Sequence, residues 1–343
     1  MKLDNKKILF FAPSFFGYEY AIKNKLEELG ALVDLYDERP SSNSFIKAII
    51  RSHNKYLGFL ISQLIQRYFT FILKENQDKN YDYIFIIKGE IFDEKIVLRL
   101  KEHYPNAKLI LYLWDSITIY KSIQNSLYLF DSAFTFDSKD ALKFEKLKFR
   151  PLFYTDKYAD CRVEANSNFE FKNDILFIGT VHSDRWLFLQ KIKEQALENG
   201  LKVDYYLFIQ SPLVFLARKL FDKRQKGLSL NNVKFRALSQ EEIIKRTYAS
   251  KSVLDIQHPK QTGMTMRTIE VFGAQRKLIT TNQNINQYDF FEPNNVFVID
   301  RENPIISQDF FIEDFHKSDS LLISKYSILG WINDIFGLEY VNL

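Results

Sequence analysis

Arg267 and Glu270 stand three residues apart in the stretch SVLDIQHPKQTGMTMRTIEVFGAQRKLITTN, residues 252–282. A guanidinium in that setting pairs with a diphosphate oxygen, and a carboxylate accepts hydrogen bonds from a ribose diol lying beside it. A second set of chemistry-bearing residues is Lys88, Glu90 and Asp115, each just after an apolar run. A carboxylate there suits general-base work on an acceptor hydroxyl, with Lys88 offsetting charge nearby. Arg185, in GTVHSDR, has the fixed donor fork that suits phosphate. Each has a plain structural alternative. For 252–282 it is an ordinary βαβ unit with a glycine at each end, and for Asp115 and Glu90 a helix cap or a loop ion pair. His182 reads as a loop residue rather than a catalytic one.

The elements around these residues alternate strand and helix. Within 252–282, Ser252–Ile256 reads as a strand and His258, Pro259, Lys260, Gln261 and Thr262 as a polar loop. Gly263 is expected to open a helix with an apolar side of Met264, Ile269, Val271 and Phe272, and Gly273 to close it before the strand Lys277–Thr281. A helix start offers unpaired amides and partial positive charge, which suits a phosphate.

In the first half, Lys7–Ala12 is a near-continuous apolar run, as a buried parallel strand requires. A helix to about Gly30 and a strand Ala31–Tyr36 follow, so the chain opens β–α–β. Only Gly17 stands in the loop after the first strand, so no dinucleotide-binding glycine pattern is present. Residues 44–74 read as one long amphipathic helix, either covering the sheet or lying on a membrane. Strands are expected at Tyr83–Ile87, Lys108–Leu113, Asp131–Phe136 and Arg150–Tyr154. Lys88 and Glu90 follow the first of these and Asp115 the second, at the strand ends where open α/β sheets bind ligands.

In the second half the strands are expected at Asp174–Ile178, Lys202–Ile209 and Asn232–Arg236. Ser239 and Glu242 fit a capping box. The helix 211–225 is expected to turn Leu213, Leu216, Ala217, Leu220 and Phe221 inward and to leave Val214 and Phe215 outside. Its end is basic, which suits contact with anionic lipid. Residues 318–337 form an amphipathic closing segment.

The loop, glycine, helix and glutamate of 257–270, followed by KLITTN, resemble the nucleotide-sugar half-site of GT-B glycosyltransferases of bacterial capsule, exopolysaccharide and O-antigen (lipopolysaccharide) biosynthesis. The resemblance implies an α/β fold of two doubly wound Rossmann-like domains facing across a cleft. It implies an acceptor domain at 1–155, a linker at 156–172, a donor domain at 173–317 and a helix crossing back within 318–343. Donor contacts would fall on Gly179, Thr180, Arg185, His258, Gln261, Gly263, Met264, Thr265, Arg267 and Glu270. Gly17, Tyr18 and Lys88 would lie on the acceptor side. Retaining members often carry a glutamate eight positions before the ribose glutamate, and here that position is Thr262, which leaves stereochemistry open. The activity implied is metal-independent hexosyl transfer, with no cofactor beyond the nucleotide-sugar substrate. The acceptor would be a polyprenyl-diphosphate-linked oligosaccharide at the cytoplasmic face of an anionic membrane. A nucleotide-sugar epimerase and a non-catalytic sugar-binding module are the alternatives.

Composition agrees with two folded domains. The 343 residues suffice for two cores, and 32 Phe with 19 Tyr against 11 Gly favour well-filled interiors. A net charge of +4 is too mild for a dedicated nucleic-acid binder. The lone Cys161 excludes an internal disulfide and a cysteine-rich metal site, and it fits a reducing compartment. The early run ILFFA is too short for a signal peptide.

Overall fold

The computed structural model describes residues 2–40, 58–162, 169–182, 184–258 and 263–339. The chain divides into two compact units, Met1–Pro151 with Ile328–Leu343, and Leu152–Ser327. Each is built on a six-stranded, wholly parallel sheet.

The first unit runs β1 (Lys7–Ala12), α1 (Tyr18–Glu28), β2 (Leu32–Asp37), α2 (Gly58–Glu75), β3 (Tyr83–Ile87) and α3 (Glu94–His103). It continues with β4 (Lys108–Leu113), α4 (Lys121–Ser126), β5 (Ser132–Thr135), α5 (Ser138–Lys143) and β6 (Leu147–Phe149). Its strand order is β2-β1-β3-β4-β5-β6. The order reverses between β1 and β3, the crevice position for ligands in open α/β sheets. The central strands are apolar on both faces because helices cover both sides. The last strand departs from the expectation of Arg150–Tyr154. Pro151 has no amide to give a ladder, and pairing stops at Phe149. Of the expected helix at 44–74, residues 44–57 lie outside the described residues. Its described part, α2, buries Phe69, Ile72 and Leu73 against the sheet. Arg99 on α3 ties to it by donating to Gln66 (2.7 Å) and Thr70 (3.0 Å).

The second unit runs α6 (Asp156–Ala159), β7 (Asn173–Thr180), α7 (Arg185–Glu198), β8 (Val203–Phe208), α8 (Pro212–Phe221), β9 (Val233–Lys234) and α9 (Gln240–Tyr248). Then come β10 (Ser250–Asp255), α10 (Met266–Gly273), β11 (Lys277–Thr280), β12 (Val296–Val298), α11 (Asp309–Ile312) and α12 (Ser320–Tyr326). In the order β12-β11-β10-β7-β8-β9 the two halves leave the centre in opposite directions, with the switch point between β7 and β10. The first is βαβαβ, while in the second a helix joins β10 to β11 and only a short 3-10 turn stands between β11 and β12. The capping box closes as expected: Glu242 N–H donates to Ser239 Oγ, and Ser239 N–H to Glu242. Strand β12 has no counterpart in the sequence reading. The helix α6 falls in the segment read as a linker and packs on α10.

Two helices differ from expectation. α8 buries Phe215 and half-buries Val214, while Leu213, Leu216, Leu220 and Phe221 face out. α10 begins at Met266 with Thr265 as its cap, not at Gly263, because the Thr265 hydroxyl accepts from Thr268 N–H (3.1 Å). At its far end the left-handed residue is Gln275 (φ 50°), so Gly273 is not the conformational stop.

The closing segment is two helices rather than one. α12 ends at an extended Ser327, which bridges to Tyr154, and α13 (Ile328–Phe336) follows. α13 belongs to the first unit, where Trp331 meets Tyr112 edge-on (4.7 Å) and Phe336 meets Tyr83 and Phe85. Arg150 pairs with Asp334 at 2.6 Å. Among the described residues no helix is long and apolar enough to cross a membrane.

Candidate functional site

At the switch point of the second sheet, the ends of β7 and β10 are joined by one side chain. Arg185, the first residue of α7, donates from Nε to the carbonyl of Ile256 just beyond β10 (2.8 Å). Its Nη1 lies 3.5 Å from the carbonyl and hydroxyl of Thr180 at the end of β7. Burial lowers its pKa, partly offset by Asp255 nearby. Gly179 leaves room for this arrangement, since a Cβ there would stand 2.8 Å from the Phe177 ring and 3.5 Å from Arg185 Nη1.

Asp255 ends β10 and holds the start of α10. Its Oδ2 accepts from the hydroxyls of Thr265 (2.7 Å) and Thr268 (2.8 Å). Thr265 is therefore a capping residue as well as a member of the expected donor set. Gly263 and Met264 are buried just before it, and Met264 N–H donates to the Tyr288 hydroxyl (3.2 Å). His258 and His182 bring their rings to 6.0 Å. Burial and the neighbouring Arg185 push the His182 imidazole down to about 4, so it is neutral at pH 7. Gln261 lies outside the described residues.

Further along α10, Glu270 is buried and its Oε2 pairs with Arg267 Nη1 at 3.0 Å. The two groups read separately as phosphate and ribose partners thus meet each other on one helix face, as i,i+3 spacing allows. Tyr158 of α6, also buried, hydrogen-bonds to both; burial and the Glu270 charge raise its phenol well above the ordinary range. The sequence reading missed Tyr158, which lies in a segment with no periodic signal. It also missed Arg301. That guanidinium forks onto both oxygens of Asp184 (2.7 and 2.6 Å) and donates to the Gln257 carbonyl (2.8 Å). The loops after β7, β10 and β12 are thereby pinned together, and Arg301 holds the Asp184 carboxyl below its ordinary pKa. Asn282 is buried in a local turn, its Oδ1 accepting from Asn284 N–H (3.0 Å).

The switch point of the first sheet carries a buried charge cluster. Lys88, directly after β3, has its Nζ 2.8 Å from Glu90, 3.8 Å from Glu38 and 3.7 Å from Asp115. Lys88 and Gly89 are both left-handed (φ 76° and 73°), a costly conformation for a lysine. Glu38 is wholly buried; burial pushes its carboxyl up to about 8 despite Lys88. Glu90 is buried with them, whereas Asp115 is half-exposed and accepts from the Tyr120 hydroxyl (3.0 Å). Of the two expected bases, only Asp115 presents its carboxylate to solvent. Gly17 is left-handed at the cap of α1 (φ 79°), with open space around it. Tyr18 is buried and packs edge-on to Trp114 (6.0 Å), so it is a core side chain in this structure.

The two doubly wound Rossmann-like domains have the fold of GT-B glycosyltransferases. The chain is similar to a glycosyltransferase from Rickettsia africae (TM-score 0.59, 13% identity, 97% of each chain covered). It is similar also to HepE of Anabaena, solved with UDP-glucose (TM-score 0.53, 16% identity, 96% of this chain and 98% of the other). Sucrose-phosphate synthase of Thermosynechococcus elongatus is a third (TM-score 0.54, 11% identity, 87% of each chain). No protein-family model and no curated protein matches the sequence.

Proposed function

We propose that this chain is a glycosyltransferase, moving a hexosyl group from a nucleotide sugar to a growing bacterial surface polysaccharide of the capsule or lipopolysaccharide type. The acceptor in this reading is a polyprenyl-diphosphate-linked oligosaccharide at the cytoplasmic face of an anionic membrane. The observations that support it best are Arg185 and the Asp255-held start of α10 at the ends of β7 and β10, with the Arg267–Glu270 pair within the next turn of the same helix. That crevice is where a Rossmann-ordered sheet receives a nucleotide.

The donor diphosphate lies at the start of α10, where helix amides and Arg185 offset its charge. Glu270 turns from Arg267 to the ribose diol, and Arg267 takes a diphosphate oxygen. The acceptor oxygen then bonds to the anomeric carbon, the bond from that carbon to the diphosphate breaks, and the nucleoside diphosphate leaves with the electron pair. Asp115 is the carboxylate assigned to the acceptor proton. Cationic side chains and a helix start serve the leaving group without a metal or a further cofactor.

A product assay tests the reading. With nucleotide sugar and a polyprenyl-diphosphate oligosaccharide, free nucleoside diphosphate and an acceptor longer by a single sugar are expected. A changed sugar in the absence of acceptor would identify an epimerase instead, and unaltered substrates would identify a binding module.

A further inference from the structure

α8 carries its apolar side outward. Its cap fixes the rotation: Ser211 Oγ accepts from Val214 N–H (3.3 Å), and Pro212 begins the helix. Phe215 then enters the core, edge-on to Phe235 at 6.4 Å, and Val214 packs partly against the same cluster. The opposite face holds Leu213, Leu216, Ala217, Leu220 and Phe221. The four large side chains there are 79%, 52%, 68% and 86% exposed. A helix that merely covers a sheet shows the reverse pattern.

The surroundings of this face are basic. Residues 212–227 contain Arg218, Lys219, Lys223, Arg224 and Lys226 against one acid, Asp222. That acid is taken by the Arg224 fork (2.8 and 2.9 Å). The excess equals the +4 of the entire chain, so the remainder is neutral on balance. An exposed apolar strip along one helix, with lysines at its edge and end, is complementary to the acyl boundary and headgroups of an anionic bilayer. A second copy of the chain fits less well, because pairing two such faces brings lysines against lysines.

We propose that α8 is the element by which the second unit lies on an anionic lipid surface. Leu213, Leu216, Leu220 and Phe221 enter the boundary, and Lys219, Lys223 and Lys226 meet the headgroups. This deepens the membrane part of the proposed function and names the face responsible. It is independent of donor binding, so nucleotide affinity, measured separately, shows which of the two fails.

Co-sedimentation of the full chain with phosphatidylglycerol–phosphatidylcholine vesicles tests it, with pure phosphatidylcholine vesicles in parallel. Binding to the anionic vesicles that weakens as salt rises is expected. The variant Leu216→Gln/Leu220→Gln/Phe221→Gln should bind about 10-fold or more weakly, and Lys223→Gln/Lys226→Gln likewise. These side chains are exposed, so circular dichroism and melting should not change. Phe59→Gln/Leu60→Gln on α2, also exposed, should bind as the unaltered chain does. The emission of a Phe221→Trp variant should shift to the blue on anionic vesicles. Undiminished binding of the triple variant, equal binding to neutral vesicles, loss of binding only in the α2 variant, or a triple variant that changes self-association instead would each overturn the proposal.

Discussion

Gly273 lies directly against the ring of Tyr154, so closely that a Cβ built on it would overlap Cγ of that tyrosine. Tyr154 is held in place by Ile323, to whose carbonyl its hydroxyl donates (2.8 Å), and by Arg162, which donates to the same hydroxyl (2.9 Å). The glycine is thus a packing requirement. Gly273→Ala should destabilise the second unit by about 1–3 kcal/mol through overpacking. Gln275→Gly, at the left-handed position, should stabilise it by about 1 kcal/mol. Urea midpoints check both, and equal midpoints for the two variants would contradict this division of labour.

Glu38 predicts an unusual pH dependence. Its folded carboxyl sits at about 8 against an ordinary 4.5, raised by burial and lowered in part by Lys88 and Arg39. Between those values the folded chain keeps a proton that the unfolded chain releases. This contribution is therefore complete below 4.5 and is lost as pH rises through 8. Relative to Glu38→Gln, which does not titrate, the unaltered chain should lose stability across that window. Urea midpoints of the two that run parallel with pH would contradict the buried, protonated carboxyl.

Asp255 holds α10 through two hydroxyls, and its removal should show in both stability and binding. Asp255→Ala strands the hydroxyls of Thr265 and Thr268 and should cost about 1.5–3 kcal/mol. It should also weaken nucleotide binding, because the helix start is no longer tied to β10. Asp255→Asn retains an acceptor and should lose less in both measurements. A nucleotide affinity indifferent to Asp255→Ala would place the ligand away from the α10 start.

Much of the fold was legible because a buried parallel strand must be apolar on both faces. Lys7–Ala12, Tyr83–Ile87 and Lys108–Leu113 announce themselves in that way. Expectation failed where a local rule competes with a non-local one. Pro151 ended a run that composition favoured as a strand. On α8, sequence periodicity finds an apolar face but not whether it turns inward, and only the Phe215 packing decides. The candidate site was legible as residue types near strand ends, as with Arg185, Arg267, Glu270 and Lys88. Their partners were not. Tyr158 meets Glu270 from 112 positions away in sequence, Arg301 meets Asp184 from 117, and Glu38 meets Lys88 from 50.

The central claim is that a nucleoside diphosphate binds at the β7/β10 switch point with its ribose on Glu270. Calorimetry of the unaltered chain and of Glu270→Gln and Glu270→Ala, against a panel of nucleoside diphosphates beginning with uridine diphosphate, tests it most directly. The prediction is binding that raises the melting point of the unaltered chain. Both variants should bind at least about 10-fold more weakly, as loss of hydrogen bonds to a charged group implies. Affinity unchanged in both variants, or no binding of any nucleoside diphosphate to the unaltered chain, would contradict it.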